Sequence, residues 1–78
     1  MSLGQNIRKV RNFKNIPLKE LALKTGLQKT TLINIESDKH QPRIDTLKKI
    51  ASALGEKESY FFADNLYLST EVPTEENL

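Results

Sequence analysis

The chain has 78 residues, of which 37% are hydrophobic and 28% charged, and it contains no cysteine. This length suits one small domain, and the composition is that of a soluble globule rather than a disordered or collagen-like chain. The lack of cysteine excludes disulfides, thiolate metal sites and a cysteine nucleophile. No apolar run approaches the roughly 20 residues of a membrane span, and no signal-peptide layout is present. We therefore expect a cytoplasmic protein without a membrane partner.

Charge is distributed unevenly along the chain. Residues 1–55 carry a formal charge of +7 and residues 56–78 carry −5, which together give the net charge of +2. A basic body with an acidic end favours a polyanionic partner for the body. A solvated basic surface is the alternative, and charge alone does not decide between them.

Apolar residues recur every three or four positions, which predicts helices throughout and no strand before residue 65. The pattern predicts five helices, at residues 3–14, 18–25, 28–37, 43–54 and 57–64. Pro17 suits the start of the second helix, whereas Gly26 and Gly55 suit helix ends. Residues 18–37 thus read as two short helices joined by a tight turn.

The third predicted helix has a polar outer side. At about 100° per residue, Leu32 and Ile35 face inward. The outer side consists of Thr30, Asn34 and Ser37, flanked by Lys29, Thr31 and Ile33. Such side chains suit the edges of base pairs, since Asn pairs with adenine, Lys with guanine and an apolar group with the thymine methyl. A merely solvated face is the alternative, although this segment is poor in strong helix formers.

The residues of this unit resemble those of the lambda-repressor-like (Xre/Cro) helix-turn-helix family. The similarity lies in Leu18-Lys19-Glu20-Leu21-Ala22, Thr25-Gly26-Leu27, Thr31-Leu32 and Ile35-Glu36, with Ile7-Arg8-x-Val10-Arg11 upstream and Thr46-Leu47-x-x-Ile50-Ala51 downstream. It covers roughly residues 4–64. The resemblance implies an all-α, compact five-helix domain with its helix-turn-helix at about residues 18–37.

The resemblance also implies a function. Proteins of this family bind operator DNA as two-fold dimers, so we expect a sequence-specific transcriptional regulator, most readily a repressor, on a near-palindromic site. Carried over by position, the base-reading residues would be Lys29, Thr30 and Asn34, with Gln28 and Ile33 as second choices. The phosphate contacts would come from Leu18, Thr31, Lys39, His40 and Arg43. Arg11 and Glu36 would form an internal ion pair.

Three positions depart from the family pattern. Pro17 stands where a capping Ser or Thr is usual, and Leu18 stands where Gln often contacts phosphate, which leaves only the Leu18 amide there. Asp38 stands where the family favours Gly. Asp tolerates a left-handed turn, but an acid near the phosphates should weaken binding slightly.

We divide the chain into a DNA-binding domain, residues 1–64, and an acidic C-terminal extension, residues 65–78. Apolar side chains near the junction suggest a homodimer contact, with candidates Tyr60, Phe61, Phe62, Leu66 and Leu68. For Phe61 and Phe62 the alternative is the core of their own chain. The acidic end could instead fold over the basic face of its own molecule.

Other functional classes find little support in the sequence. His40 is the only histidine, and structural zinc needs four ligands, so no metal or other cofactor is expected. No serine has a plausible base partner except His40, so an enzyme is not expected. From this length, we expect no separate small-molecule-binding domain. The main alternative is a protein-interaction module on the same fold, of the antitoxin or anti-repressor type.

Overall fold

The computed structural model describes residues 2–62, which form an all-helical domain. The α-helices are α1 (Leu3–Phe13), α2 (Leu18–Thr25), α3 (Lys29–Glu36) and α4 (Ile44–Leu54), followed by a 3₁₀ helix (Glu58–Phe62). The first four predicted helices are present, each within two residues of the expected bounds. No strand occurs within residues 2–62.

The prediction of a fifth α-helix over 57–64 is wrong, because residues 2–62 form four α-helices. The segment is instead a 3₁₀ helix of five residues, in which the Tyr60 amide donates to the Lys57 carbonyl at 3.0 Å. Runs of 3₁₀ helix are short because their hydrogen bonds are less well aligned than those of an α-helix. Apolar periodicity does not distinguish the two forms over a single turn.

Local sequence explains where the helices begin and end. Ser2 and Gln5 form a reciprocal capping box at the start of α1, with both hydrogen bonds at 3.1 Å. Pro17 precedes α2 in an extended conformation. Gly26 and Gly55 end α2 and α4 with φ of 75°, a left-handed conformation that glycine adopts without steric cost.

One hydrophobic core joins all the elements. Its buried members are Ile7, Val10, Leu21, Leu32, Ile35, Leu47, Ile50, Ala51, Leu54 and Phe61. Leu32 and Ile35 are the contribution of α3, as the helical periodicity predicted. Since only this side of α3 is buried in the core, its opposite side is left for contacts outside the domain.

The N-terminal half of α1 approaches the end of α3 closely. A Cβ atom at Gly4 would lie 2.2 Å from the Ile35 carbonyl oxygen and 2.9 Å from that of Glu36. Only glycine therefore fits between the two helices. Two residues further along α1, the buried Asn6 Nδ2 donates to the Phe61 carbonyl at 2.6 Å, which attaches the 3₁₀ helix to α1.

Candidate nucleic-acid interface

The outer side of α3 is exposed and polar. Gln28, Lys29 and Thr30 are exposed, Asn34 is half-buried, and Ile33, at the edge of this side, is 46% exposed. The one carboxylate of α3 belongs to Glu36, which is buried. The outer side of α3 is therefore free of acid and accessible along its length.

The turn between α2 and α3 is held by Thr25 and Gly26. The Thr25 hydroxyl donates to the Leu21 carbonyl at 2.8 Å and accepts from the Leu27 amide at 3.3 Å. The Gly26 amide donates to the Ala22 carbonyl at 2.8 Å. These bonds fix the direction in which the chain leaves α2, and so the position of α3. The glycine was predicted from the sequence, but the role of Thr25 was not.

The start of α2 presents backbone amides. The Pro17 carbonyl accepts from the amides of Glu20 and Leu21, both at 3.0 Å, so the amides of Leu18 and Lys19 precede the first bonded amide of α2. Neither of these two amides has an acceptor among residues 2–62. Unbonded amides at a helix start attract anions.

A shallow groove connects the start of α2 with α3. Its lining includes Arg8 from α1, Leu18 from α2, and Ile33 and Ser37 from the α3 side. Arg8 is exposed and has no ion-pair partner in the described part of the chain. Sequence reasoning missed Arg8, although the spacing of Arg8 and Arg11 on α1 could have placed both toward α3.

The loop after α3 is folded onto the end of that helix. The Asn34 carbonyl accepts from the amides of Lys39 at 2.8 Å and His40 at 3.2 Å. His40 and Arg43 are exposed and line a second groove that also includes Thr31. Thr31 is therefore brought close to the loop, whereas Leu18 lies on the other side of α3.

Asp38 is hydrogen-bonded to the start of α1. Its φ of 64° is left-handed, as anticipated. Its carboxylate accepts from the Ser2 hydroxyl and, at 3.0 Å, from the Gly4 amide. This charge lies at the positive start of α1, where a carboxylate is stabilising. That Asp38 weakens DNA binding slightly stays a prediction.

The dimer candidates differ in exposure. Phe61 is 0% exposed, so the expectation that its side chain contacts a second copy was wrong. Phe62 is 60% exposed. Tyr60 is half-buried edge-on against Phe61, and this burial, with the Glu56 carboxylate second, raises the pKa of its hydroxyl above 10.0. Leu66 and Leu68 lie outside the described residues.

Cations around α3 are not neutralised by the protein. Lys29, Lys39 and Arg43 make no ion pair with any residue of the described range. The described ion pairs join Arg11 to Glu36, Lys14 to Glu56 and Lys24 to Glu20. The α3 side therefore keeps its positive charge for an external ligand.

No group of three His, Cys, Asp or Glu side chains within residues 2–62 could hold a metal ion. None of the helices described is long and apolar enough to span a bilayer.

The helices α2 and α3 are short and are joined by a turn with a left-handed glycine, and the outer side of α3 is exposed. This arrangement defines a helix-turn-helix protein. The model of the helix-turn-helix domain family matches residues 4–66. The chain belongs to this family, as its resemblance to the lambda-repressor-like proteins predicted.

Relatives of known type support the same class. An immunity repressor protein of Bacillus phage phi105 is 36% identical over 55 residues, covering 70% of this chain. The match covers 38% of that repressor, so the chain spans well under half its length. The crystal structure of SinR, a master regulator for biofilm formation, in complex with DNA is similar with a TM-score of 0.74. SinR is 32% identical, and the similarity covers 80% of this chain and all of that chain.

Proposed function

We propose that this chain is a sequence-specific DNA-binding domain of a transcriptional repressor, with α3 in the major groove of operator DNA. The observation that carries the proposal is the acid-free outer side of α3, with unpaired cations on both flanks. A polar, exposed helix side of this kind suits contact with base edges in the major groove. The similarity to SinR, solved with DNA, and to a phage repressor supports the same function.

Base reading is assigned to the first two turns of α3. The Lys29 side chain suits hydrogen bonds to guanine, that of Asn34 suits adenine, and that of Thr30 can bond to either base. Gln28 and Ile33 are secondary, since Gln28 stands at the helix start and Ile33 offers an apolar contact for a thymine methyl. The exposure of all but the half-buried Asn34 supports these roles.

Phosphate binding is assigned to the two flanks of α3. On one flank are the Leu18 amide and the Arg8 guanidinium; on the other are Thr31, Lys39, His40 and Arg43. Arg8 lines the same groove as Leu18 and supplies a cation where Pro17 and Leu18 offer no polar side chain. Phosphate contacts on both sides would fix the register of α3 without themselves selecting a sequence.

The domain is proposed to act as a homodimer on a near-palindromic operator. The exposed Phe62 supports a contact near the C-terminal end of the domain, to which Leu66 and Leu68 would contribute from the sequence that follows. Two-fold symmetry would place two α3 helices about 34 Å apart on one face of the duplex. Residues 1–64 would then form the DNA-binding unit and residues 65–78 an extension to it.

A salt titration of duplex binding tests the function. Affinity should fall steeply between about 50 and 200 mM salt, and Arg43→Ala should reduce the slope of log K against log salt by about 1. Lys49→Gln, which removes an exposed cation from α4, is the matched control and should leave the slope unchanged. Weak binding of every duplex with no effect of Arg43→Ala would contradict the proposal and favour a protein partner for α3.

A further inference from the structure

The outer face of α1 is a second positively charged surface. Gln5, Arg8, Lys9 and Asn12 line an open groove along this helix. The sequence of α1 contains no Asp or Glu, and Arg8 has no ion-pair partner among residues 2–62. The groove therefore attracts anionic groups.

An acidic segment of the same chain follows the 3₁₀ helix. The 16 residues that follow Phe62 include Asp64, Glu71, Glu75 and Glu76 and no Lys or Arg. The last described element is attached to α1 itself through the bond from Asn6 Nδ2 to the Phe61 carbonyl. Sixteen residues reach at most about 50 Å, whereas α1 is about 16 Å long, so the acidic end can lie anywhere along the groove.

We propose that the acidic end of this segment, residues 71–78, docks on the α1 face lined by Gln5, Arg8, Lys9 and Asn12, within the same molecule. Tethering gives the segment a high effective concentration at the groove, so weak exposed ion pairs suffice for docking. The occupant is the chain's own C-terminal segment rather than that of a second copy, because its charge is opposite to that of the groove and tethering favours the segment of the same molecule.

Docking would oppose DNA binding through Arg8. This residue lines both the α1 groove and the groove between α2 and α3. A carboxylate that holds Arg8 on the outer face of α1 therefore competes with a phosphate beside Leu18. This second step rests on the proposed function, whereas docking itself does not.

Because the chain contains no cysteine, a spin label can be attached at one introduced cysteine, which tests docking directly and without DNA. A spin label on Thr74→Cys in the full chain should broaden the amide signals of Gln5, Arg8, Lys9 and Asn12. Arg8→Gln should reduce this broadening and Lys49→Gln should not. Salt at about 1 M, where the Debye length is about 3 Å, should abolish it. The proposal would be overturned if no broadening occurs, or if neither Arg8→Gln nor salt reduces the broadening.

A mixed sample distinguishes the two occupants. Isotope-labelled chain without the spin label is combined with unlabelled chain that carries it. Intramolecular docking predicts no broadening of α1 in this sample, whereas equal broadening would assign the groove to a second copy and overturn the proposal.

Neutralising the segment tests its competition with DNA. The triple variant Glu71→Gln, Glu75→Gln, Glu76→Gln should lose the broadening and bind duplex DNA about three- to tenfold more tightly at low salt. In a chain that also carries Arg8→Gln, the same three changes should raise the affinity for duplex DNA little. Unchanged affinity would contradict the competition. Docking in a protein that binds no DNA in any variant would instead contradict the proposed function alone.

Discussion

Arg11 and Glu36 form a two-point ion pair between α1 and α3, with Nε to Oε2 at 2.7 Å and Nη2 to Oε1 at 3.1 Å. Both residues are buried, at 8% and 6% exposure. Arg11 Nη1 also donates to the Ile16 carbonyl at 2.9 Å. A single guanidinium thus holds α3 and the connection to α2 against α1, beside the groove that Leu18 and Ile33 line.

Glu36→Gln should lower the free energy of unfolding by about 3–5 kcal/mol, because it leaves the Arg11 charge buried and uncompensated. Urea denaturation measures the change. Glu20→Gln is the control, since it breaks the exposed pair with Lys24 and should cost about 0.5 kcal/mol or less. Similar small losses for both variants would show that the buried pair does not hold α3.

Gly4→Ala should destabilise the fold by about 1–3 kcal/mol, because the added Cβ would overlap the backbone at the end of α3. Gly26→Ala is a useful comparison. Nothing lies within 4 Å of a Cβ there, so its cost of about 1–2 kcal/mol comes only from the left-handed φ. Thermal unfolding gives both values, and a crystal structure of Gly4→Ala should show α1 moved away from α3. An unshifted α1 with full stability would refute the close approach.

Asp38→Asn should reduce stability by about 0.3–1 kcal/mol at low ionic strength, since it removes a negative charge from the start of α1 while retaining a residue that tolerates the left-handed φ. The loss should shrink in about 1 M salt. Urea titrations at both salt concentrations measure it. A gain in DNA affinity with no loss of stability would indicate that the carboxylate faces phosphate instead.

Asn34→Ala should cost about 1–3 kcal/mol on the preferred operator and little on other sequences, because it removes a base contact. The loop after α3 should persist, since Lys39 and His40 bond to the backbone carbonyl of Asn34 rather than to its side chain. Arg43→Ala is the counterpart and should weaken all duplexes alike. Equal loss on every sequence for Asn34→Ala would remove its role as a base reader.

Local patterns in the sequence were sufficient to predict four helices and the inner side of α3. Leu32 and Ile35 fall on one face of any helix through this segment, and glycines and Pro17 punctuate the chain as their backbone preferences require. The 3₁₀ helix was mistaken for α-helix because its five residues are too few to show a period.

Contacts between distant residues were not predictable from local patterns. Asp38 bonds to Gly4 across 34 positions, and Arg8 reaches the groove beside Leu18 only once α1 is packed. The Arg11 and Glu36 pair was anticipated only through resemblance to a family. Phe61 and Phe62 illustrate the remaining difficulty, since neighbours of the same type have opposite exposures that packing alone decides.

The most direct test of the DNA-binding proposal is selection from random duplexes at about 150 mM salt, followed by sequencing. Recognition of an operator by α3 in a homodimer predicts one enriched near-palindrome with half-sites about 10 base pairs apart. The enrichment should be lost with Asn34→Ala. A folded chain that enriches no sequence would contradict sequence-specific recognition by α3.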